Sequence, residues 1–286
     1  MEKQVIENLS GMANMLTSLD TASEVPVGFE LGNGWSKTED YKGVWNVSQG
    51  HLSSIVSKRY SIIQHEDVMR AVTEKLGELG IQVSGLFKNY NDIIQADLVF
   101  TNKGVPIKDD AKGIQLGIRV MNSYNKKCSF RLEMFGYRLI CSNGMALGKT
   151  LGVRETVFHT GSKKSYELIC KITNEFVNEV INSSKTLQKY VDEMMADTMG
   201  YENAKKILFH IIKRKKHYKA IMEIFGEKKK VSRWDIYNAI TSYFTHNESL
   251  QRNVINGLEK KSQKLMLNNS AKLIEKANEI VVELPQ

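Results

Sequence analysis

The residues best suited to covalent chemistry lie in two short segments near the middle of the chain. Cys141, Ser142 and Asn143 follow an apolar run, and Asn143-Gly144 is a pair that favours a turn with positive φ. His159 lies in the second segment. A cysteine thiolate is a nucleophile, a histidine can act as its base, and an asparagine can orient that base or stabilise an oxyanion. Cys141, His159 and Asn143 are therefore candidate catalytic residues of a thiol-dependent enzyme.

A structural role competes with this hypothesis. A cysteine flanked by apolar residues is more often a buried core residue. A reactive thiolate needs a histidine or another cation within hydrogen-bond reach, and spacing along the chain does not place one beside Cys141. Whether the protein is an enzyme is therefore left open by the sequence.

Positive charge is concentrated in the second half of the chain. Residues 1–162 carry 18 Lys and Arg against 17 Asp and Glu, whereas residues 163–286 carry 22 against 15. Within residues 203–233 there are 11 basic side chains and two acidic ones, which accounts for the whole net charge of +8. Such a concentration is typical of a surface that binds a polyanion, usually nucleic acid. A solvated lysine-rich helix face would have the same composition.

The basic residues occur in two runs that could contact phosphates. Cations neutralise phosphates and release counterions, and neighbouring aromatic side chains can stack on unpaired bases. Trp234 and Tyr237 fit the buried face of an amphipathic helix better than such a stacking role. Two arginines on predicted strands would form a secondary surface. The predicted nucleic-acid-binding residues are Lys213, Arg214, Lys215, Lys216, Lys228, Lys229, Lys230 and Arg233, with Arg131 and Arg138 on the sheet.

Several other classes of site lack their motifs. The six histidines show no metal-ligand spacing, so we expect no bound metal. Gly144 and Gly148 have one residue too few between them for a phosphate-binding P-loop, and we expect no cofactor. The three cysteines are widely spaced, no apolar run could span a bilayer, and the N-terminus lacks the apolar core of a signal peptide. These features predict a cytoplasmic protein with no membrane partner.

The elements that would position these residues change character along the chain. Apolar residues near a 3.6 period predict one helix within residues 1–24, and the glycine-rich residues 28–50 are expected to be irregular. A helix then begins near His65, and strands dominate from residue 81 to about 160.

Helices are predicted throughout the rest of the chain. One long helix covers residues 165–187, and a second covers 203–225, with a break around Lys213–Lys216 and an end at Gly226. A third begins with a capping box at Ser232, and a fourth covers 250–280 with a break at Gly257.

The predicted fold class is α+β, with a mixed, mostly antiparallel sheet domain that contains a helix, followed by a helical C-terminal region. The predicted parts are an N-terminal helix (1–24), a sheet domain (25–162) and a helical basic region (163–286).

Four sequence blocks carry a family resemblance. They are residues 56–63 (VSKRYSII), 138–145 (RLICSNGM), 158–160 (FHT) and 234–246 (WDIYNAITSYFTH). In this order they resemble the phage/plasmid-like family known as domain of unknown function 932, and Arg-x-x-Cys-x-Asn is the most specific of them. The resemblance implies a protein of a mobile genetic element, with a role in DNA metabolism.

The sequence favours a non-enzymatic DNA-binding protein that prefers single strands and acts in replication, recombination or annealing. Apolar stripes on the C-terminal helices are consistent with a homo-oligomer. The alternatives are an enzyme built on Cys141 and His159, and a protein-interaction factor acting on a host pathway.

Overall fold

The computed structural model describes residues 2–32, 34–107, 110–138, 143–146, 153–161, 164–247 and 249–279. It has the predicted α+β class, with an antiparallel sheet region followed by helices. Two compact units are formed. The first, here called the sheet unit, comprises residues 1–103, 116–135 and 152–182, and the second, the helical unit, comprises 104–115, 136–151 and 183–286. The predicted boundary near residue 163 therefore differs from the division found, because the first helix after it belongs to the sheet unit.

Twelve strands occur among the described residues, and they form three sheets. The order β1-β5-β6-β7-β8-β10, with β9 paired to β8, makes the largest sheet, while β2-β3-β4 and β11-β12 form the other two. The strands are β1 Glu2–Ile6, β2 Ala22–Leu31, β3 Gly34–Asn46, β4 His51–Ser57, β5 Val83–Tyr90, β6 Ile93–Ile107, β7 Asp110–Ser123, β8 Phe130–Arg138, β9 Asn143–Ala146, β10 Arg154–Val157, β11 Thr198–Gly200 and β12 Lys230–Ser232.

The predicted N-terminal helix is too long. Residues 2–6 instead pair antiparallel with β5, which satisfies their backbone hydrogen bonds at the sheet edge. Asn8 then begins helix α1, Leu9–Met15, by accepting a hydrogen bond from the Gly11 N–H at 2.8 Å. The helical period in the sequence does correspond to a helix, but that helix, α1, has only two turns.

The glycine-rich segment predicted to be irregular, residues 28–50, instead contains the end of β2 and the whole of β3. Gly28 shows why glycine is used there. A Cβ at this position would lie 2.2 Å from the Ser36 carbonyl oxygen on the paired strand, so no larger residue fits without displacing the backbone. At this position glycine therefore permits a close contact between two paired strands.

Nine α-helices lie in the described part of the chain: α1, α2 His65–Glu78, α3 Tyr166–Asn182, α4 Ser184–Ala196, α5 Tyr201–Ile212, α6 Lys215–Phe225, α7 Arg233–His246, α8 Arg252–Leu267 and α9 Ser270–Asn278. None of the described helices is long and apolar enough to cross a membrane.

Local signals located several helix ends correctly. The break around Lys213 and the end at Gly226 are both found, and Ser232 and Asp235 form the predicted capping box of α7. One further break was not predicted, and another was misplaced. The helix predicted over 165–187 is interrupted at Ser183, and the C-terminal helix is interrupted at Asn269, which caps α9, rather than at Gly257.

In the sheet unit, a polar cluster is buried beside the apolar core. The Tyr124 hydroxyl accepts a hydrogen bond from the His65 N–H at 3.0 Å and donates one to the Asp20 carbonyl at 2.8 Å. The His65 ring stacks on Tyr124 with centroids 3.8 Å apart, and the Asn122 amide lies 3.0 Å from its Nδ1. Burial lowers the pKa of His65 to about 3, so its ring is neutral at physiological pH.

In the helical unit, α7 is the central helix and Arg233 fixes it to its neighbours. The Arg233 side chain is 4% exposed. Its Nε lies 2.7 Å from the Asp197 carboxylate, and its Nη1 donates to the Leu265 and Asn268 carbonyls at 2.6 and 2.7 Å. Asp197 also accepts a hydrogen bond from the Ser270 N–H at 2.8 Å. One guanidinium thus ties the start of α7 to the ends of α4 and α8 and the start of α9.

The buried histidines of the sheet unit predict that stability falls in acid. The pKa values of His65 and His159 are lowered to about 3 and about 4, so the unfolded chain, with histidine near 6.5, binds more protons. Each histidine contributes stability that is complete above pH 6.5 and is lost by about 1.4 kcal/mol per pH unit on acidification towards its folded value. Urea unfolding between pH 7.5 and 5 should show this slope. The variant His159→Gln should have a shallower slope than the wild type; equal slopes in the two proteins would contradict the assignment.

The Arg233 contacts predict a large effect of one substitution. Arg233→Met removes the guanidinium, which leaves Asp197 without its counter-ion and the Leu265, Asn268 and Glu193 carbonyls without their donor. We therefore expect a loss of about 3–5 kcal/mol in the free energy of unfolding. Arg70→Met is the matched control, because Arg70 pairs with Glu66 on the surface and its loss should cost less than about 1 kcal/mol. Thermal and urea unfolding of the intact chain measure both. Similar small losses would show that the Arg233 contacts are dispensable.

Candidate nucleic-acid interface

The first predicted basic run forms the turn between α5 and α6. Lys213 adopts the left-handed conformation at φ 62°, Arg214 precedes the first residue of α6, and Lys215 and Lys216 occupy its first turn. All four side chains are exposed. The sequence placed these cations correctly at a break between helices, and the break presents them to solvent.

Basic residues of α8 and α9 lie close to this turn. The Lys261 ammonium on α8 donates a hydrogen bond to the Ile212 carbonyl, at 3.3 Å, where α5 ends. Burial, together with the charges of Arg214, Lys213 and Lys264, lowers the pKa of Lys261. Burial and the charges of Lys264, Lys213 and Lys276 likewise lower the pKa of His210, with Glu279 acting in the opposite direction. The cations of three chain segments are therefore near enough to repel one another. We refer to Lys213, Arg214, Lys215, Lys216, Lys261 and Lys264 as the basic cluster.

The cluster is unfavourable for the free protein. The N-terminus of a helix carries a partial positive charge, which makes cations there destabilising by about 0.3–1 kcal/mol each. The first turn of α6 nevertheless holds Lys215 and Lys216 and no acidic residue. A bound polyanion would remove both the mutual repulsion and the conflict with the helix dipole.

A cleft opens within the cluster. Its volume is about 360 Å³. His217 lines it with a side chain that is 8% exposed, and the Nδ1 of this ring lies 2.8 Å from the Tyr243 hydroxyl. Burial, with the charges of Arg214, Lys216 and Lys261, lowers the pKa of His217. The lining residues are Ile212, Arg214, His217, Gln251, Val254, Gly257, Leu258 and Lys261.

The second predicted run is divided in the structure. Lys229 and Lys230 are exposed, and the Lys228 ammonium pairs with Asp235 at 2.6 Å. Arg233 must be removed from the predicted interface, because it is buried and bonded within the helical unit. Trp234 is buried as well, with its ring stacked on Tyr237, which agrees with their predicted core role.

The predicted secondary surface is described only in part. Arg131 lies on β8 of the sheet unit, opposite Thr156 of β10, and its side chain is half-buried. Arg138 ends β8, and its side chain lies outside the described part of the structure.

Of the three candidate catalytic residues, one side chain is described. Cys141 lies outside the described residues, and Asn143 is described only as the first residue of β9. The His159 ring is 5% exposed, stacks on Tyr60 with centroids 4.9 Å apart, and donates from Nδ1 to the Ser61 carbonyl at 3.2 Å. Burial lowers its pKa to about 4. His159 thus lies in the core of the sheet unit as a neutral ring.

Four residues of this site were not predicted from the sequence: Lys261, Lys264, His217 and Gln251. A signal was present for two of them: Lys261 and Lys264 are three residues apart, the spacing that puts side chains on one helix face. The proximity of that face to the α5–α6 turn comes from the packing of α8 on α5 and could not be read from spacing.

Comparison with known proteins shows a family match and nothing further. No match was found among the curated proteins, and none among the solved structures. The family described as Domain of unknown function (DUF932) matches residues 52–273. This range covers most of the chain and contains all four sequence blocks described above. The chain therefore belongs to the DUF932 family.

Proposed function

We propose that the protein binds nucleic acid through the basic cluster of the helical unit, without catalysing a reaction. The observation that carries this proposal is the gathering of cations from the α5–α6 turn and α8, where the Lys261 ammonium lies 3.3 Å from the Ile212 carbonyl and burial, together with the neighbouring charges, lowers its pKa. Phosphates would neutralise this charge, and the release of their counterions would supply much of the affinity. Lys229 and Lys230 extend the exposed positive charge of the same unit.

Single-stranded DNA is the preferred ligand in this proposal. The cleft combines cationic residues with the apolar side chains of Val254 and Leu258. A base can contact apolar walls only when it is not paired and stacked within a duplex. The combination of phosphate-binding cations and an apolar recess is therefore better suited to an unpaired strand.

The wider role proposed is replication, recombination or annealing of DNA on a phage or plasmid, in the cytoplasm. This setting rests on the resemblance found in the sequence. Assembly into a homo-oligomer would place several basic clusters along one strand, which raises the overall affinity by multivalency.

A different function, a protein-interaction factor, is favoured by one separate observation. The three-stranded sheet exposes large apolar side chains, among them Trp35, Trp45, Leu52 and Ile55. An apolar surface of this kind is typical of a protein-binding site. Recovery of a stable protein complex without nucleic acid would support this candidate.

The proposal predicts that charge reversal at the N-terminus of α6 weakens binding. For the double variant Lys215→Glu, Lys216→Glu we expect the affinity for a single-stranded oligonucleotide to fall roughly tenfold or more in about 50 mM salt. The slope of the logarithm of affinity against the logarithm of salt concentration should also become shallower by about 1.4, because each lost phosphate contact accounts for about 0.7. Fluorescence anisotropy across a salt series measures both quantities.

The matched control is Lys185→Glu, Lys189→Glu, which makes the same charge change on exposed residues of α4. Its affinity should fall much less than that of the α6 variant. Equal losses would mean that net charge, rather than the basic cluster, governs binding.

The α6 double variant, Lys215→Glu, Lys216→Glu, should not be less stable than the wild type. Glutamate in the first turn of α6 interacts favourably with the helix dipole, so we expect a gain of about 0.3–1 kcal/mol per residue in the free energy of unfolding. Urea unfolding without nucleic acid measures this gain. A clear loss of stability would contradict the view that the lysines are retained for binding at a structural cost.

A further inference from the structure

The cleft in the helical unit has the composition of a site for one anionic ligand rather than for a continuous backbone. Arg214 and Lys261 supply two cations at its rim, and Lys213 and Lys264 add charge close by. The remaining lining is largely apolar, with the side chains of Ile212, Val254 and Leu258. Its volume of about 360 Å³ is within the range of about 300–1,000 Å³ usual for small-molecule sites.

His217 adds a polar side chain to the lining of this recess. The ring is almost fully buried, and its Nδ1 is taken up by the Tyr243 hydroxyl at 2.8 Å. A neutral imidazole carries one N–H. When Tyr243 donates to Nδ1, the ring N–H is on Nε2. A ligand oxygen that reaches this ring edge would accept a hydrogen bond from that N–H.

We propose that this cleft receives a terminal nucleotide through its phosphomonoester, which Arg214, Lys261 and the His217 N–H would hold while the sugar and base contact Ile212, Val254 and Leu258. This inference rests on the proposed nucleic-acid function and names the part of the ligand that the cleft recognises. The rest of the strand would follow the exposed lysines of the α5–α6 turn.

Charge distinguishes a terminal phosphate from a phosphate within the strand. A phosphodiester carries one negative charge, whereas a phosphomonoester carries about 1.5–2 at neutral pH. Several cations gathered at one recess are neutralised more fully by the monoester. The cleft should therefore discriminate between a phosphorylated strand end and an unphosphorylated one.

The test compares strand ends in the intact protein. Anisotropy is measured with one single-stranded oligonucleotide of roughly 20 nucleotides, carrying either a 5′-phosphate or a 5′-hydroxyl. We expect the phosphorylated strand to bind roughly tenfold more tightly. Free deoxyadenosine 5′-monophosphate should compete with the strand end and abolish the tighter binding of the phosphorylated strand. Deoxyadenosine, which lacks the phosphate, should not.

Two variants assign the preference to the cleft. Lys261→Gln should reduce the ratio of the two affinities to about one. Lys260→Gln removes the same charge from the adjacent exposed position of α8, outside the cleft lining, and should keep the ratio. Loss of the ratio in both variants would overturn the proposed role of the cleft.

The remaining outcomes separate this inference from the proposed function. Tight binding of both strands with no preference for the 5′-phosphate would overturn the terminal-nucleotide site and leave nucleic-acid binding intact. Binding of the free monophosphate, dependent on Lys261, without binding of either strand would support the cleft and identify a free nucleotide as its ligand, while it would overturn the proposed function. Binding of no strand and no nucleotide would overturn both.

Discussion

The helical unit depends on the burial of a single arginine. Arg233 gives up its hydration to pair with Asp197 and to bond the carbonyls that end α8, so any movement of these helices would leave a buried charge unsatisfied. That requirement fixes α4, α7, α8 and α9 at one junction. Since α8 carries Lys261 and packs on α5, the same junction determines how the cations of α8 approach the α5–α6 turn. Arg233, which the sequence predicted to contact nucleic acid, therefore positions the residues that are proposed to do so.

The basic cluster is unfavourable for folding and is proposed to be favourable for binding. Packing forces brought Lys213, Arg214 and Lys261 together although their charges repel, and α6 begins with two lysines where the helix dipole disfavours them. Natural proteins tolerate such local conflicts chiefly at functional sites. The sheet unit shows a different use of polar residues, because His65, Asn122 and Tyr124 are neutral there and their hydrogen bonds organise a core.

Local chemistry made much of this architecture predictable. The capping box at Ser232, the glycine end at Gly226 and the break at Lys213 depend on neighbouring residues alone, and all three were located correctly. Strand β1 was missed because a sheet edge supplied its hydrogen bonds, and that partner lies far away in sequence. The exposed lysines of the α5–α6 turn were predicted from composition, whereas Lys261 and Lys264 were not. The role of Arg233 was not, since a charge run gives no sign that one of its members is buried.

Lysine footprinting tests most directly where nucleic acid binds. The intact protein would be acetylated briefly with and without saturating single-stranded DNA, and each lysine would be quantified by mass spectrometry. Lys213, Lys215 and Lys216 are exposed in the free protein, and the account predicts that DNA protects them strongly, while Lys185 and Lys189 on α4 react equally in both samples. Unchanged reactivity of the three cluster lysines under conditions where DNA is bound would contradict the account and place the interface elsewhere.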